Sequence, residues 1–228
     1  MSLYVIGDLH LSLGADKPMD VFGGAWIGYL DKLRQGLSVL KPEDTIVLCG
    51  DTSWGIDLEE ALPDFRFLAE LPGQKLLVKG NHDYWWSTAA KFQAMCRDQG
   101  FENLALLHNN CHTWGGIALC GTRGWFYEEE TGGEHDKKLL HRELARLETS
   151  LKGAGEREIY CFLHYPPLYR GYTCLEIMTL LADYHVSHCW YGHLHGSSHR
   201  LARQETHGGV QYHLIAADFV GFRPVKIG

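Results

Sequence analysis

The sequence predicts an α/β protein with a mixed β-sheet. Three observations support this fold class. Short apolar runs of strand length recur along the chain, segments with helical spacing separate them in the first half, and the chain after Gly196 is mostly strand-like. The 228 residues contain no repeat, linker or low-complexity stretch, so we predict a single domain over residues 1–228.

The predicted strands are apolar runs that stop at polar, glycine-rich corners, and several contain β-branched residues, as buried strands do. They cover residues 3–6, 45–48, 75–78, 104–107, 117–120, 158–163, 188–191 and 210–216. The two glycines between Trp114 and Ile117 predict a hairpin turn.

Apolar residues at every third or fourth position, or a capping residue and a stop signal, predict five helices. They cover residues 27–40 and 58–69, a segment from Ser87 or Thr88 to Gly100, and residues 137–151 and 174–184. The acidic, glycine-containing stretch 128–136 predicts a surface loop.

Charge and cysteine content exclude several classes of protein. With 21 basic and 28 acidic residues the formal charge is −7, which argues against a nucleic-acid binder with a broad basic face. The seven cysteines include no CxxC pair, so neither a disulfide framework nor a thiolate zinc site is expected. No apolar stretch reaches the roughly 18 residues of a membrane span, and the start lacks a basic signal-peptide region. We expect a cytoplasmic protein with no membrane partner.

Polar side chains with metal-binding chemistry follow five of the predicted strands, and a glycine lies just ahead in four of these cases. In open α/β sheets, such strand ends meet in a shared crevice where ligands bind. The residues are Asp8, His10, Asp51, Asn81, His82, His164, His193 and His195.

This combination of imidazole, carboxylate and amide groups suits Mn²⁺, Fe or Zn²⁺ better than Ca²⁺ or Mg²⁺. One metal ion would not need so many groups, whereas two ions about 3.5–4 Å apart with a bridging carboxylate would. The alternative is that these are satisfied core and capping residues. We favour metal binding, because burying so many unpaired polar groups is costly.

The ordered series D-x-H, G-D, G-N-H-D, H and G-H-x-H, from Asp8 to His195, resembles the calcineurin-like metallophosphoesterase superfamily, in particular its bacterial stand-alone phosphohydrolases. The resemblance implies a four-layer α-β-β-α sandwich of two mixed sheets flanked by helices. It also implies two divalent metal ions. Asp8, His10 and His195 would hold one ion, Asn81, His164 and His193 would hold the other, and Asp51 would bridge them.

The resemblance further implies a phosphohydrolase. Two cations lower the pKa of a bridging water, and the resulting hydroxide attacks a phosphomonoester or phosphodiester, which we expect to be a small molecule or nucleotide. His82 matches a family histidine near the leaving group. We expect it to donate a proton or hydrogen bond there, with Asp83 orienting it.

Three further residues are candidates for substrate binding. Arg123 follows another strand, where its guanidinium could clamp a phosphate, although a surface or salt-bridged role is the alternative. Trp54 and Trp125 could stack on a flat leaving group, and packing over the sheet is the alternative for both.

Other functions are less favoured. A protein Ser/Thr phosphatase would continue Gly50-Asp51 with Val-Asp-Arg-Gly and read G-N-H-E, and this chain does neither. The acidic balance counts against a nuclease. A non-enzymatic scaffold would be expected to lose ligands, and this sequence retains the whole set.

Overall fold

Two mixed β-sheets form the centre of the fold in the computed structural model, which describes residues 1–126 and 133–228. Each predicted strand is present, with its ends shifted by at most two residues. In chain order the strands are β1 Leu3–Ile6, β2 Thr45–Cys49, β3 Gln74–Val78, β4 Leu104–Leu106, β5 Cys111–Trp114, β6 Ile117–Thr122, β7 Glu158–Leu163, β8 Leu168–Tyr169, β9 Tyr172–Thr173, β10 His188–Tyr191, β11 Thr206–His207, β12 Val210–Leu214 and β13 Val225–Lys226.

The first sheet has the strand order β13-β1-β2-β3-β4, in which β1 to β4 are parallel and β13 is antiparallel. The second has the order β11-β12-β10-β7-β6-β5, with a parallel centre and antiparallel edges. Strands β5 and β6 form the predicted hairpin, with Trp114 opposite Ile117. Strands β8 and β9 form a separate small hairpin.

Helices lie on the outer faces of the two sheets because parallel strands need crossover connections. They are α1 Tyr29–Leu37, α2 Leu62–Glu70, α3 Ala89–Gln99, α4 Glu134–Lys152 and α5 Leu175–Asp183. Short 3-10 turns cover Met19–Phe22, Gly24–Trp26 and Gly196–Leu201. Within the described ranges, no helix combines the length and the apolar composition needed to cross a membrane.

Three apolar clusters separate the four layers of the sandwich. Leu33, Phe65 and Phe92 pack helices α1 to α3 on the first sheet. Phe162 and Trp190 belong to a cluster that joins the facing sides of the two sheets, and a third cluster packs α4 and α5 on the second sheet. The sandwich of two mixed sheets flanked by helices is therefore confirmed.

Three helices differ from the prediction by three or more residues at one end, and the first, α1, ends at Leu37 rather than at residue 40. Helix α2 begins at Leu62 rather than at residue 58, and Pro63 explains the difference because a proline is accommodated in the first turn of a helix but not in its interior. Helix α4 begins at Glu134, where acidic side chains face the positive end of the helix dipole. The loop prediction was therefore wrong for residues 134–136, and its residues 128–132 lie outside the described ranges.

The two sheets meet where β1 and β12 end. The Gly7 amide donates to the Ile215 carbonyl at 2.8 Å, and the Ala217 amide donates to the Gly7 carbonyl at 2.9 Å. Across the second sheet, the Gly192 amide donates to the His164 carbonyl at 3.1 Å. These bonds bring the carboxyl ends of the parallel strands of both sheets to one edge, so residues that are distant in sequence share one crevice.

A buried carboxylate, Asp64 at the start of α2, fixes the loops below this crevice. It accepts hydrogen bonds from the Leu13 amide at 2.7 Å and from the Ser53 hydroxyl at 2.5 Å. Burial raises the pKa of Asp64 to about 6 from its ordinary value of 3.8. The folded chain therefore retains this proton at a higher pH than the unfolded chain does, and ionisation destabilises the fold as the pH rises from about 4 to about 6.

We accordingly expect Asp64→Asn to gain stability relative to the natural protein across that window. The difference between the two unfolding free energies should grow by about 2–3 kcal/mol from pH 4 to pH 7, because a pKa shift of about two units corresponds to that amount. Urea unfolding in the presence of a chelator measures it. The other titrating groups are the same in both proteins, so their contributions cancel in the difference between the two unfolding free energies. A difference that does not change with pH would contradict the assignment.

Candidate metal centre

The first predicted ligand set comes together at the edge where the sheets meet. Asp8 and His10 follow β1, and His195 follows β10. The His10 and His195 Nε2 atoms lie 3.4 Å apart, and His195 Nε2 lies 3.4 Å from Asp8 Oδ1. All three residues offer ligand atoms within 4.8 Å of one another, which is a spacing that one metal ion could occupy.

The second predicted set lies beside the first and is equally close. Asn81 follows β3, His164 follows β7 and His193 follows β10. The Asn81 Oδ1 atom lies 2.6 Å from His164 Nε2 and 3.0 Å from His193 Nδ1. One amide oxygen thus faces two imidazole nitrogens.

Asp51, which follows β2, lies between the two sets. Its Oδ2 atom is 3.7 Å from His10 Nε2 and 3.6 Å from His164 Nε2. Its other oxygen accepts a hydrogen bond from the His82 amide at 2.8 Å. Asp8 also forms a close group with Asp51 and His164, so the two buried carboxylates lie side by side.

Four of the seven predicted ligands have a left-handed backbone. The φ angles are 60° at Asp8, 47° at His10, 50° at Asp51 and 71° at His193. For residues other than glycine, such conformations cost on the order of 1–3 kcal/mol each and concentrate at functional sites. The backbone is therefore held in an unfavourable form to aim these side chains into the crevice.

Glycines that precede ligands make room for carboxylates from neighbouring strands. A Cβ on Gly192 would clash with the Asp8 carboxylate, and a Cβ on Gly80 would clash with the Asp51 side chain and amide. These glycines therefore allow the Asp8 and Asp51 carboxylates to approach the backbone closely, in addition to allowing the chain to turn.

Asp83 does not orient His82, and that prediction was wrong. Its buried carboxylate accepts five N–H hydrogen bonds, from the amides of residues 51, 52, 53 and 80 and from the Trp85 indole. It therefore joins the loop that carries Asp51 to the loop that carries Asn81. The hydroxyl of Tyr84, and not Asp83, lies 3.1 Å from His82 Nδ1.

The side chains of this site are chemically suited to binding cations, because they bring buried carboxylates and neutral imidazoles together. Asp8, Asp51 and Asp83 are all buried, and burial together with repulsion from Asp83 and Asp8 raises the pKa of Asp51 well above its usual range. Burial lowers the pKa of both His10 and His193 to about 3, which keeps them in the neutral form that binds metals. The buried Nδ1 of His10 has no hydrogen-bond partner within the described structure.

His82 lies at the open side of the centre. Its ring centroid is 4.6 Å from that of Trp54 and 5.8 Å from that of His10. Burial and the neighbouring histidines lower the pKa of His82. Trp54 also stacks on His10 at 4.9 Å, so the structure brings this predicted substrate residue to the centre.

Arg123 and Trp125 occupy a different environment. The Arg123 guanidinium lies 3.4 Å from the buried Glu143 carboxylate and 4.8 Å from the Trp125 ring centroid. Trp125 in turn packs edge-on against Tyr165, which contacts His193. The ion pair with Glu143 matches the alternative considered for Arg123, and Trp125 is separated from the predicted ligands by one aromatic ring.

Asp218 is a site residue that the sequence analysis missed. Its Oδ1 atom lies 2.9 Å from His195 Nδ1, and its Oδ2 atom accepts the Gly196 amide at 2.9 Å. Burial opposes protonation of His195, but attraction to Asp8 and the bond to Asp218 outweigh it and raise the pKa of His195 to about 10. Asp218 follows β12, so applying the strand-end rule to this strand, the last one predicted from the sequence, would have found it.

We expect Asp218→Asn to weaken metal binding by about 10- to 100-fold. The Asp218 carboxylate orients the His195 ring and makes it a more basic ligand, and the substitution weakens both effects. Titration with Mn²⁺ or Zn²⁺ in a calorimeter measures the change. Asp183→Asn, at the end of α5, is the matched control and should bind like the natural protein. Unchanged affinity in Asp218→Asn would show that this hydrogen bond does not matter for the metal.

Comparisons with known proteins identify the family and the fold. The sequence profile of the calcineurin-like phosphoesterase family matches residues 1–197. No curated protein sequence matches the chain. The crystal structure of a protein of unknown function from Aquifex aeolicus superposes with a TM-score of 0.52 at 17% identity, covering 99% of this chain and 95% of that one.

A second solved structure superposes with a TM-score of 0.56 at 15% identity, covering 92% of this chain and 88% of that one. At these identities the two structures support the fold alone. The family profile covers most of the chain, and two groups of aspartates and histidines that could hold a metal ion lie within the matched residues. The chain therefore belongs to the calcineurin-like phosphoesterase family.

Proposed function

We propose that this protein is a dinuclear metal phosphohydrolase that acts on a small phosphoester. The observation that carries the proposal is the position of Asp51 Oδ2, which lies at nearly equal distances, 3.7 and 3.6 Å, from one histidine of each ligand set. A single carboxylate oxygen that faces two separate sets of donors is suited to bridging two cations.

The site residues have distinct proposed roles. Asp8, His10 and His195 would hold one divalent cation, and Asn81, His164 and His193 would hold the other. Two such cations, whether Mn, Fe or Zn, supply a water of lowered pKa and positive charge for the phosphoryl oxygens. Asp218 orients His195, and Asp83 keeps the loops of Asp51 and Asn81 together.

His82 would assist departure of the alcohol. Its ring borders the open cavity beside Trp54 and is held through Nδ1 by the Tyr84 hydroxyl, which leaves the other ring nitrogen for the leaving oxygen. A hydrogen bond or proton given there stabilises the developing alkoxide. No nucleophilic side chain is required in this scheme, because water is the attacking group.

A chromogenic phosphomonoester and its diester, each assayed with Mn²⁺, Zn²⁺ and Fe²⁺, test the proposal. We expect hydrolysis of at least one ester that is abolished by a chelator and restored by the metal. His164→Ala should be inactive, while His207→Ala, an exposed histidine on β11, should behave like the natural protein. A metal-loaded protein that cleaves neither ester would favour a binding scaffold. Cleavage of nucleic acid in preference to both esters would favour a nuclease.

A further inference from the structure

A cavity of about 470 Å³ opens directly onto the candidate metal centre. It is lined by His10, Met19, Phe22, Trp26, Trp54, His82, His195 and Gly196. A second cavity of about 390 Å³ shares Met19, Phe22 and Trp54 with the first, so the two adjoin along these side chains. Each has the size of a small-molecule site. We call the joined space the apolar groove.

Away from the histidines, the lining of the apolar groove is hydrophobic. Pro18 and Val21 extend the hydrophobic surface in the second cavity, where Asp16 and Lys17 are the charged lining residues. Phe22 and Val21 are 70% and 75% exposed, although both are large apolar side chains. A cluster of exposed apolar side chains that continues into a site is characteristic of a ligand-binding groove.

The apolar groove lies on the side of the centre where His82 is found. The His82 and Trp54 rings are 4.6 Å apart, and both line the larger cavity. Under the proposed function, His82 faces the leaving oxygen, so the alcohol part of the ester extends from His82 along Trp54. This inference rests on the proposed function and adds the chemical class of the substrate.

The groove suits a flexible chain better than a flat ring. Stacking a base on Trp54 requires a free ring face, but His10 stacks on this ring at 4.9 Å and the Lys17 ammonium lies 5.0 Å from its centroid. Trp26 packs edge-on against His10 and His195. The other large apolar side chains shared by the two cavities are Met19, whose sulfur accepts the Trp54 indole N–H at 3.3 Å, and the exposed Phe22. We infer that the substrate is a phosphoester of an alcohol with a linear alkyl chain, and that the apolar groove binds this chain.

A series of n-alkyl phosphates from butyl to octyl, kept below the concentrations at which they form micelles, tests the inference. Alcohol basicity barely changes along the series, so the length of the chain is the main variable. Complete burial of one methylene corresponds to about a fourfold change. Because the groove is open to solvent, we expect kcat/KM to rise about twofold per methylene, or at least about tenfold from butyl to octyl. The matching methyl alkyl diesters serve if diesters are preferred.

Binding of n-alkylphosphonates to the metal-loaded protein, measured by calorimetry, provides a readout independent of turnover, and the Kd should fall in parallel. Phe22→Ser should reduce the octyl-to-butyl ratio to below about threefold. The matched control is Leu175→Ser on α5, a residue that is 66% exposed and lines neither cavity, and it should keep the full ratio.

The two proposals fail in different ways. If short esters are hydrolysed but neither kcat/KM nor Kd depends on chain length, the assignment of the apolar groove is wrong and the proposed function stands. If no ester is hydrolysed while phosphonate binding still strengthens with chain length, the groove stands and the proposed function is wrong. A ratio that is unchanged in Phe22→Ser would also overturn the assignment.

Discussion

Asp51→Asn is expected to lower kcat for phosphoester hydrolysis by about 10³-fold. The substitution preserves the size of the side chain and an oxygen that can accept the His82 amide at Oδ1. It removes the negative charge from the oxygen that faces His10 and His164, which belong to different ligand sets. Both metal positions should therefore weaken together.

Steady-state kinetics and the metal content of the same preparation measure this effect. Asp98→Asn on the exposed face of α3 is a matched control that changes charge by the same amount, and it should retain full activity. A thermal melt of the chelated proteins shows whether the fold is intact. If Asp51→Asn keeps both its metal content and its rate of hydrolysis, Asp51 is not a ligand of the metal centre.

His82→Ala is expected to leave metal content unchanged and to reduce turnover by about 10²- to 10⁴-fold for esters with poor leaving groups, the range typical of a lost general acid. The reduction should be much smaller for a nitrophenyl ester, because that leaving group departs without help. Comparing an alkyl ester with a nitrophenyl ester in the same variant isolates the role of His82 at the leaving oxygen.

Tyr84→Phe provides a graded companion to this substitution. It removes only the hydroxyl that lies 3.1 Å from His82 Nδ1, so it should show the same dependence on the leaving group with a smaller loss. His141→Ala, an exposed histidine on α4, is the control and should match the natural protein. Equal losses for good and poor leaving groups in His82→Ala would contradict the assignment.

Local sequence patterns predicted much of the fold and the convergence of the ligands. A buried strand is recognised by an apolar run that is followed by polar or glycine residues. Both signals lie in one short continuous segment, as from Leu3 to Asp8. Parallel pairing then brings strand ends to one edge whatever their separation in sequence. This is why residues as distant as Asp8 and His195 could be predicted to share a site.

The partners of single side chains could not be predicted in the same way. Asp83 and Tyr84 both lie next to His82, and which of them contacts the ring depends on how the loop turns. Arg123 pairs with Glu143 because α4 packs against β6, a contact that spans 20 residues of chain. The apolar groove likewise depends on the 3-10 turns after β1, which carry no strong periodic pattern.

The backbone also contributes information that the sequence does not display. Asp8, His10 and Asp51 adopt left-handed conformations although none of them is glycine, and nothing in the residue types requires this. The surrounding hydrogen bonds impose it, including those from the Asp8 and His10 amides to the carbonyls of Gly50 and Asp51. Such strain is visible only after folding and marks the crevice as a functional site.

The metal content of the purified chain tests the central claim most directly. After loading with Mn²⁺ or Zn²⁺ and removal of free metal, elemental analysis should give about two ions per chain, as the two ligand sets around Asp51 require. His193→Ala, which removes a ligand from the second set alone, should give about one. A value of one or none in the natural protein, with the fold intact, would contradict a dinuclear centre.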